Sequence, residues 1–289
     1  MADDLAELMK RAGDTVTDED VATAAPIRLL NATFDRNEAE PNPGAAAPEG
    51  WHLVYFSADT RPEGLGPDGA ARGLGVIPAM PFPRRMFAGI RLRFHQPIRI
   101  GETLTRETEL LSITPKDGST GRMAIVTVIS RISGANGLAL EEERDTVFRE
   151  EAKPGQGNAA PRQAQAPEDT VWREIITPNE VALFRFSALT FNPHRIHYDA
   201  PYATGVEGYP GLVVHGPFSQ TCLVNFARDN NPDKRITSFS MRARAPLFVN
   251  EPIELVGRPN GGKTGDDGCS VWALTPQGGI AMSATATFA

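Results

Sequence analysis

The stretch Lys153 to Pro167, KPGQGNAAPRQAQAP, constrains this chain more than any other. It has no aromatic or large aliphatic residue, so it contributes nothing to a core and reads as a linker. It sits near the middle of 289 residues, a length that suits two domains or one fold built twice. A weak internal repeat favours the second. Ile90 to Glu102 can be laid against Phe239 to Glu251. Each is a strand-like run with alternating arginines, then a proline, an apolar stretch, a turn residue and a glutamate. The expected organisation is an N-terminal half over 1–152, the linker over 153–167 and a C-terminal half over 168–289.

Composition narrows the class. Hydrophobic residues make up 40% and charged residues 22%, as in a soluble globular protein. The 24 prolines and 27 glycines imply many turns and hence a strand-rich chain. No apolar run is long enough for a membrane helix. The acidic start Met1-Ala2-Asp3-Asp4 is unlike a secretory signal. Cys222 and Cys269 are too few for a disulfide framework and have no metal spacing, so a reducing, cytoplasmic setting is expected. A net charge of −7 disfavours nucleic acid and anionic membrane as partners, but leaves room for an anionic small molecule held by a few local arginines.

Periodicity gives the elements. Residues 3–12 and 22–34 read as helices, and Asp14 to Asp20 as the opening of another short one. Trp51 to Phe56 reads as a strand and 61–80 as a long irregular loop. Strands follow over 84–94, 103–113, 122–130 and 138–149, a meander with turns at Lys116-Asp117-Gly118 and Gly134-Ala135-Asn136-Gly137. After the linker come a strand over 171–176 and a helix over 181–190 with Thr177 at its cap. A helix over 218–228 and strands over 236–245, 251–258, 270–275 and 280–288 close the chain. Phe218, Cys222 and Phe226 would form the apolar stripe of that last helix.

Three of the five histidines, His194, His197 and His215, fall within 22 residues. Histidine is the side chain best poised for proton transfer near neutral pH. The local text is Leu189-Thr190-Phe191-Asn192-Pro193-His194-Arg195-Ile196-His197-Tyr198-Asp199, and later Val213-Val214-His215-Gly216-Pro217. Gly216 before Pro217 fits a helix start, with the glycine as N-cap. The first N–H groups of a helix lack intrahelical partners and lie at its positive end, so one there could hold an oxygen that gains charge. Arg84, Arg85, Arg91 and Arg93 cluster in an acidic chain, and an arginine fork suits phosphate or carboxylate.

These motifs resemble the MaoC-like, R-specific enoyl-CoA hydratases, and more closely their double-hot-dog subgroup. That subgroup includes itaconyl-CoA and mesaconyl-C4-CoA hydratases and 3-hydroxyacyl-thioester dehydratases. Pro81-Phe82-Pro83-Arg84-Arg85-Met86-Phe87-Ala88-Gly89 and Pro97-Ile98-Arg99-Ile100-Gly101-Glu102 carry the likeness into the first half, so it covers about Trp51 to the end. The resemblance implies an α+β double hot-dog fold, with antiparallel sheets wrapping helices. It also implies reversible addition of water to an enoyl-CoA and no cofactor beyond coenzyme A in the substrate. Position 192 departs from the family, where an Asp stands five residues before the His; here it is Asn. An amide cannot take a proton at neutral pH but can hold water by hydrogen bonds.

The expected roles are therefore redistributed. His197 is the acid and base, Asn192 positions the water, and the Gly216 N–H holds the thioester oxygen. Arg84, Arg85, His194 and His215 are candidate substrate contacts, and no metal is expected. A degenerate N-terminal half would wall the acyl pocket, and a homodimer is expected from sheet-edge pairing. Plainer readings stand beside these: Asn192 as a turn former before Pro193, His194 as a loop cap, His215 as a structural residue, and the arginines as a solvated strand face. An alternative register would put the Asp position at Thr190, but it breaks the spacing to His197-Tyr198-Asp199. The runner-up activities are fatty 3-hydroxyacyl-thioester dehydration, thioester hydrolysis and acyl-CoA binding without turnover.

Overall fold

The computed structural model describes residues 2–118, 121–150, 164–261 and 267–289. Its first half contains α1 (Ala2–Met9), β1 (Thr15–Val21), α2 (Ala24–Thr33), β2 (Arg84–Phe94), β3 (Thr103–Gly118), β4 (Gly121–Gly134) and β5 (Gly137–Arg149). The second contains β6 (Trp172–Ile176), α3 (Glu180–Leu189), α4 (Ala200–Gly205), α5 (Gly216–Asp229), β7 (Ile236–Ala243), β8 (Ile253–Pro259), β9 (Gly268–Leu274) and β10 (Ile280–Phe288). Most of the expected linker lies outside the described residues. Of its last part, Gln165 bridges to Gly279.

All ten strands join one antiparallel sheet in the order β1-β3-β4-β5-β2-β7-β10-β9-β8-β6. Read outward from its centre, the order is the same on both sides. Each half lays its first long strand at the centre, then its fourth, third and second, and ends on a short edge strand. The halves meet where β2 pairs with β7, and Arg91 stands directly opposite Ser240. Those two residues are equated by the internal repeat, so a twofold relating the halves passes between them. This is the double hot-dog arrangement, with the two half-sheets continuous across the β2–β7 seam.

The halves differ in what fills them. In the second, α5 packs against β7 to β10, and every residue from Phe218 to Ala227 is buried. The expected stripe is thus only part of a helix covered on all sides. In the first half, the corresponding stretch between α2 and β2 holds two 3-10 helices, Trp51–Val54 and Pro62–Gly64. Trp51 is fully buried and donates from Nε1 to Asn225 Oδ1 on α5 at 3.0 Å.

Three local expectations are corrected. Asp14 to Asp20 is not a helix start but belongs to edge strand β1, where the β-branched run Thr15-Val16-Thr17 and the cross-strand pair Asp18–Arg106 suit extended backbone. Trp51 to Phe56 is not a strand. Gly50, at φ +83°, turns the chain so that Trp51 can drop into the core. The cap of α3 is Asn179, whose side chain accepts the Ala182 N–H at 3.0 Å, rather than Thr177.

Candidate active site

A cavity of about 830 Å³ lies between the concave face of β2 to β5 and the loops before α5. His197 reaches its wall from the short 3-10 helix Arg195–His197. The Nδ1 of His197 donates to the Val213 carbonyl at 2.7 Å, which fixes the tautomer and leaves Nε2 as a bare acceptor. Burial, with the charge of neighbouring His194, pushes His197 down to about 3, and the Val213 bond opposes this only in part. His197 is therefore neutral at physiological pH and able to accept a proton.

His215 does not reach the cavity. It is fully buried behind His197, its ring stacked on that ring at 3.7 Å between centroids, and its Nε2 is bonded to Ser187 Oγ at 2.8 Å. Its expected substrate contact is thus replaced by a supporting one. Burial holds it neutral, well below the usual range. His194 does line the cavity, packs edge-on to His197, and is pushed down to about 3 by burial and by Arg85.

Asn192 lines the cavity while its Oδ1 accepts the His194 N–H at 3.0 Å. It thus forms the turn of the plainer reading, and it does so on the cavity wall. Phe191 before it adopts φ +47° although it is not glycine, and it stands more than half exposed on the cavity wall. The cap of α5 is His215, not Gly216. Gly216 is the first helical residue and Pro217 follows it. The Gly216 N–H still has no intrahelical acceptor and lies at the cavity. The glycine is required by space, because a Cβ there would lie 2.7 Å from the ring of Phe87.

The two candidate arginines part ways. Arg84 is off the cavity wall, ion-paired to Glu207 at 2.6 Å with both side chains buried, and it also donates to the Glu207 carbonyl. That pairing consumes the fork expected for substrate. Arg85 is on the wall, and burial lowers its pKa against the opposing pull of Asp68.

Asp68 carries no mark in the sequence, where it is one acid in an irregular loop. It is 5% exposed, and its Oδ2 accepts no hydrogen bond. That oxygen lies 3.4 Å from Arg85 Nε and 3.7 Å from His194 Nε2. The loop is keyed into the histidine segment: the Asp68 carbonyl accepts the Arg195 N–H, and Gly69 packs so closely on the Pro193 carbonyl that no side chain fits. Only tertiary structure brings it here, so no local sequence signal could have found it. Among the described residues, no group of three or more His, Cys, Asp or Glu side chains is arranged to hold a metal.

A neutral imidazole, an amide and a helix-start N–H around one cavity can add water across a polarised double bond. Known proteins agree with that chemistry. The family model for hydroxyacyl-thioester dehydratase type 2 matches residues 50–249. The chain belongs to this dehydratase family. A mesaconyl-C(4)-CoA hydratase of Chloroflexus aurantiacus is 43% identical over 282 residues, 97% of each chain. Among solved structures, a MaoC-like dehydratase superposes with a TM-score of 0.74 at 15% identity, over 97% of this chain and 99% of the other. A conserved hypothetical protein of Mycobacterium tuberculosis, described as having a double hotdog fold, gives 0.60 at 13% identity over 96% of both. As a member of the family the chain is a hydro-lyase of the hydratase/dehydratase type, acting on an acyl thioester. No helix among the described residues is long and apolar enough to cross a membrane.

Proposed function

We propose that this enzyme hydrates a short enoyl-CoA carrying a free carboxylate, of the mesaconyl-C4-CoA type. The observation that carries this reading is the charge of the cavity wall. Among the described residues, six arginines line it (Arg72, Arg85, Arg106, Arg144, Arg149 and Arg244) against a single carboxylate, Glu142, in a chain of net charge −7. A fatty acyl chain calls for an apolar tunnel, whereas a carboxylate and the phosphates of coenzyme A call for cations.

In hydration, His197 Nε2 takes a proton from a water held by the Asn192 amide as the water oxygen bonds to the β-carbon. The π electrons move toward the thioester, whose oxygen receives the Gly216 N–H. The enolate then collapses and takes the proton back from His197 at the α-carbon. One water is consumed and the histidine ends as it began. Dehydration is the reverse. The steps as written call for no metal or organic cofactor.

The test is enoyl-thioester absorbance against a panel of short carboxylated and linear enoyl-CoAs. Fastest loss with a carboxylated four- or five-carbon acyl group is expected. A rate that rises with linear chain length would transfer the enzyme to fatty-acyl dehydration, and release of free coenzyme A from saturated thioesters would make it a thioesterase. The cytoplasm, where acyl-CoA is made and used, is the proposed setting. A homodimer is proposed too, supported by exposed apolar Val171, Ile175, Val181 and Phe184 on and beside edge strand β6. Sedimentation as a monomer at micromolar concentration contradicts it.

A further inference from the structure

The twofold relation of the halves exposes a difference in chemistry. In the second half, the concave face under α5 is apolar: Val271 and Ala273 of β9, with Met282, Ala284 and Ala286 of β10, all lie in the main core. The same face of the first half is apolar at both ends, with Leu104, Ile132 and Leu140 in the main core and Leu110, Val128 and Phe148 in a second one, but it carries a polar patch between them. Thr108 stands opposite Ser130, and Ser130 opposite Glu142. Strand alternation puts Arg106 and Arg144 on that face as well. Among the described residues, no long helix covers it. The cavity does, and Arg106, Ser130, Glu142 and Arg144 are all on the cavity wall.

A polar row on the inner face of a sheet is costly unless something pairs with it. Part of the pairing is internal. Glu142 accepts from His52 Nε2 at 2.8 Å and is ion-paired to an Arg144 terminal nitrogen at 2.7 Å. Burial alone would raise Glu142, but the Arg144 charge and the His52 bond hold it at about 2, so it stays an anion. Arg106 is held through Nε and one terminal nitrogen by Asp18, with its guanidinium over the Phe56 ring. Each arginine is thus fixed by one carboxylate, yet each is only half-buried and keeps donors to offer the cavity.

Strand register places this row relative to the reacting atoms. Thr146 stands opposite Phe87, the residue that touches Gly216. Arg144 is the next residue on that face, about 7 Å further along β5. Arg85, opposite Phe148, lies a similar step the other way, already engaged by Asp68 and the Ala71 carbonyl.

From this placement we infer that the helix-free face of the N-terminal half is a carboxylate subsite, in which Arg144, held by Glu142 and His52 and flanked by Arg106, binds the free carboxylate of the acyl group. The inference rests on the hydratase reading above and assigns its specificity. The degenerate half then does more than wall the pocket. Its missing helix leaves the room, and its polar row chooses the substrate.

The test compares kcat/KM for two thioesters that differ only at the group of interest: mesaconyl-C4-CoA and 3-methylcrotonyl-CoA, in which a methyl replaces the carboxylate. Wild-type enzyme should favour the carboxylated substrate. Arg144→Gln should lower the ratio of the two kcat/KM values by about 10- to 100-fold, the scale of a lost charge-assisted pair. Glu142→Gln should lower it less, and Arg144→Lys should keep most of it. Thermal unfolding checks that each variant is folded, and Arg144→Lys against Glu142→Gln decides if Arg144→Gln is not. Hydration of neither substrate by wild-type enzyme would overturn the hydratase reading itself. Hydration of both without preference would overturn the subsite alone. So would a wild-type ratio in Arg144→Gln, or a ratio erased by Arg85→Gln and not by Arg144→Gln.

Discussion

The tautomer of His197 is fixed from outside its ring. Val213 takes the Nδ1 proton and burial keeps the second nitrogen bare, so no titration is needed to make the base. Because His197 is pushed down to about 3, its neutral form persists at every pH above that value. The expected kcat/KM for hydration therefore shows no acidic limb between pH 5 and 8; a limb near 6.5 that disappears in His197→Gln would contradict this. Asp68 makes a separate prediction. Removing its charge leaves Arg85 and His194 facing each other without an anion between them. Asp68→Asn is expected to lower kcat about 10-fold, with KM changed much less. Equal kcat would mean that Asp68 only shapes its loop.

At the scale of elements, α5 and β2 form one device. The first helical N–H can approach a ligand because residue 216 has no side chain, and it has none because Phe87 of β2 occupies the space. Gly216→Ala should cost about 1–3 kcal/mol of stability by overpacking, and it should lower kcat/KM by displacing the N–H. Adding Phe87→Leu should recover stability, read by urea unfolding, and a double variant no more stable than the single one would contradict the coupling. The long strands and α5 were legible because their apolar residues recur at strand or helix spacing, and the motif from Asn192 to Asp199 pointed to a segment that lines the cavity. What was not legible depends on contacts distant in sequence. Asp14 to Asp20 is polar because it is a sheet edge, and Trp51 begins a 3-10 helix because Asn225 waits for its indole. Arg84 and Arg85 are neighbours of one type, yet one is locked to Glu207 and the other faces the cavity. Nothing in their immediate sequence separates them.

For the whole molecule, the halves keep one topology and divide the labour. The second supplies the proposed proton carrier and oxyanion donor around an ordinary apolar core. The first has no long helix over its sheet among the described residues and turns a polar patch to the cavity. The buried histidines also link the site to acid stability. His194 and His197 are pushed down to about 3 and His215 well below its usual value, so all three are neutral in the folded chain. Unfolded, each would bind a proton below its ordinary value of about 6.5. Their contribution is complete above that pH and is lost as pH falls from 6.5 toward 3. The urea midpoint should drop over that range, and less steeply in His215→Gln; equal slopes would contradict the linkage.

In the proposed reaction one neutral histidine, His197, adds water to a carboxylated enoyl thioester. The most direct measurement mixes wild-type enzyme with mesaconyl-C4-CoA, follows the enoyl absorbance and weighs the product. Loss of the double bond with a mass gain of one water is predicted, and His197→Ala should be slower by about 10²- to 10⁴-fold. An unchanged double bond, a product lacking the added water, or full activity in His197→Ala would contradict it.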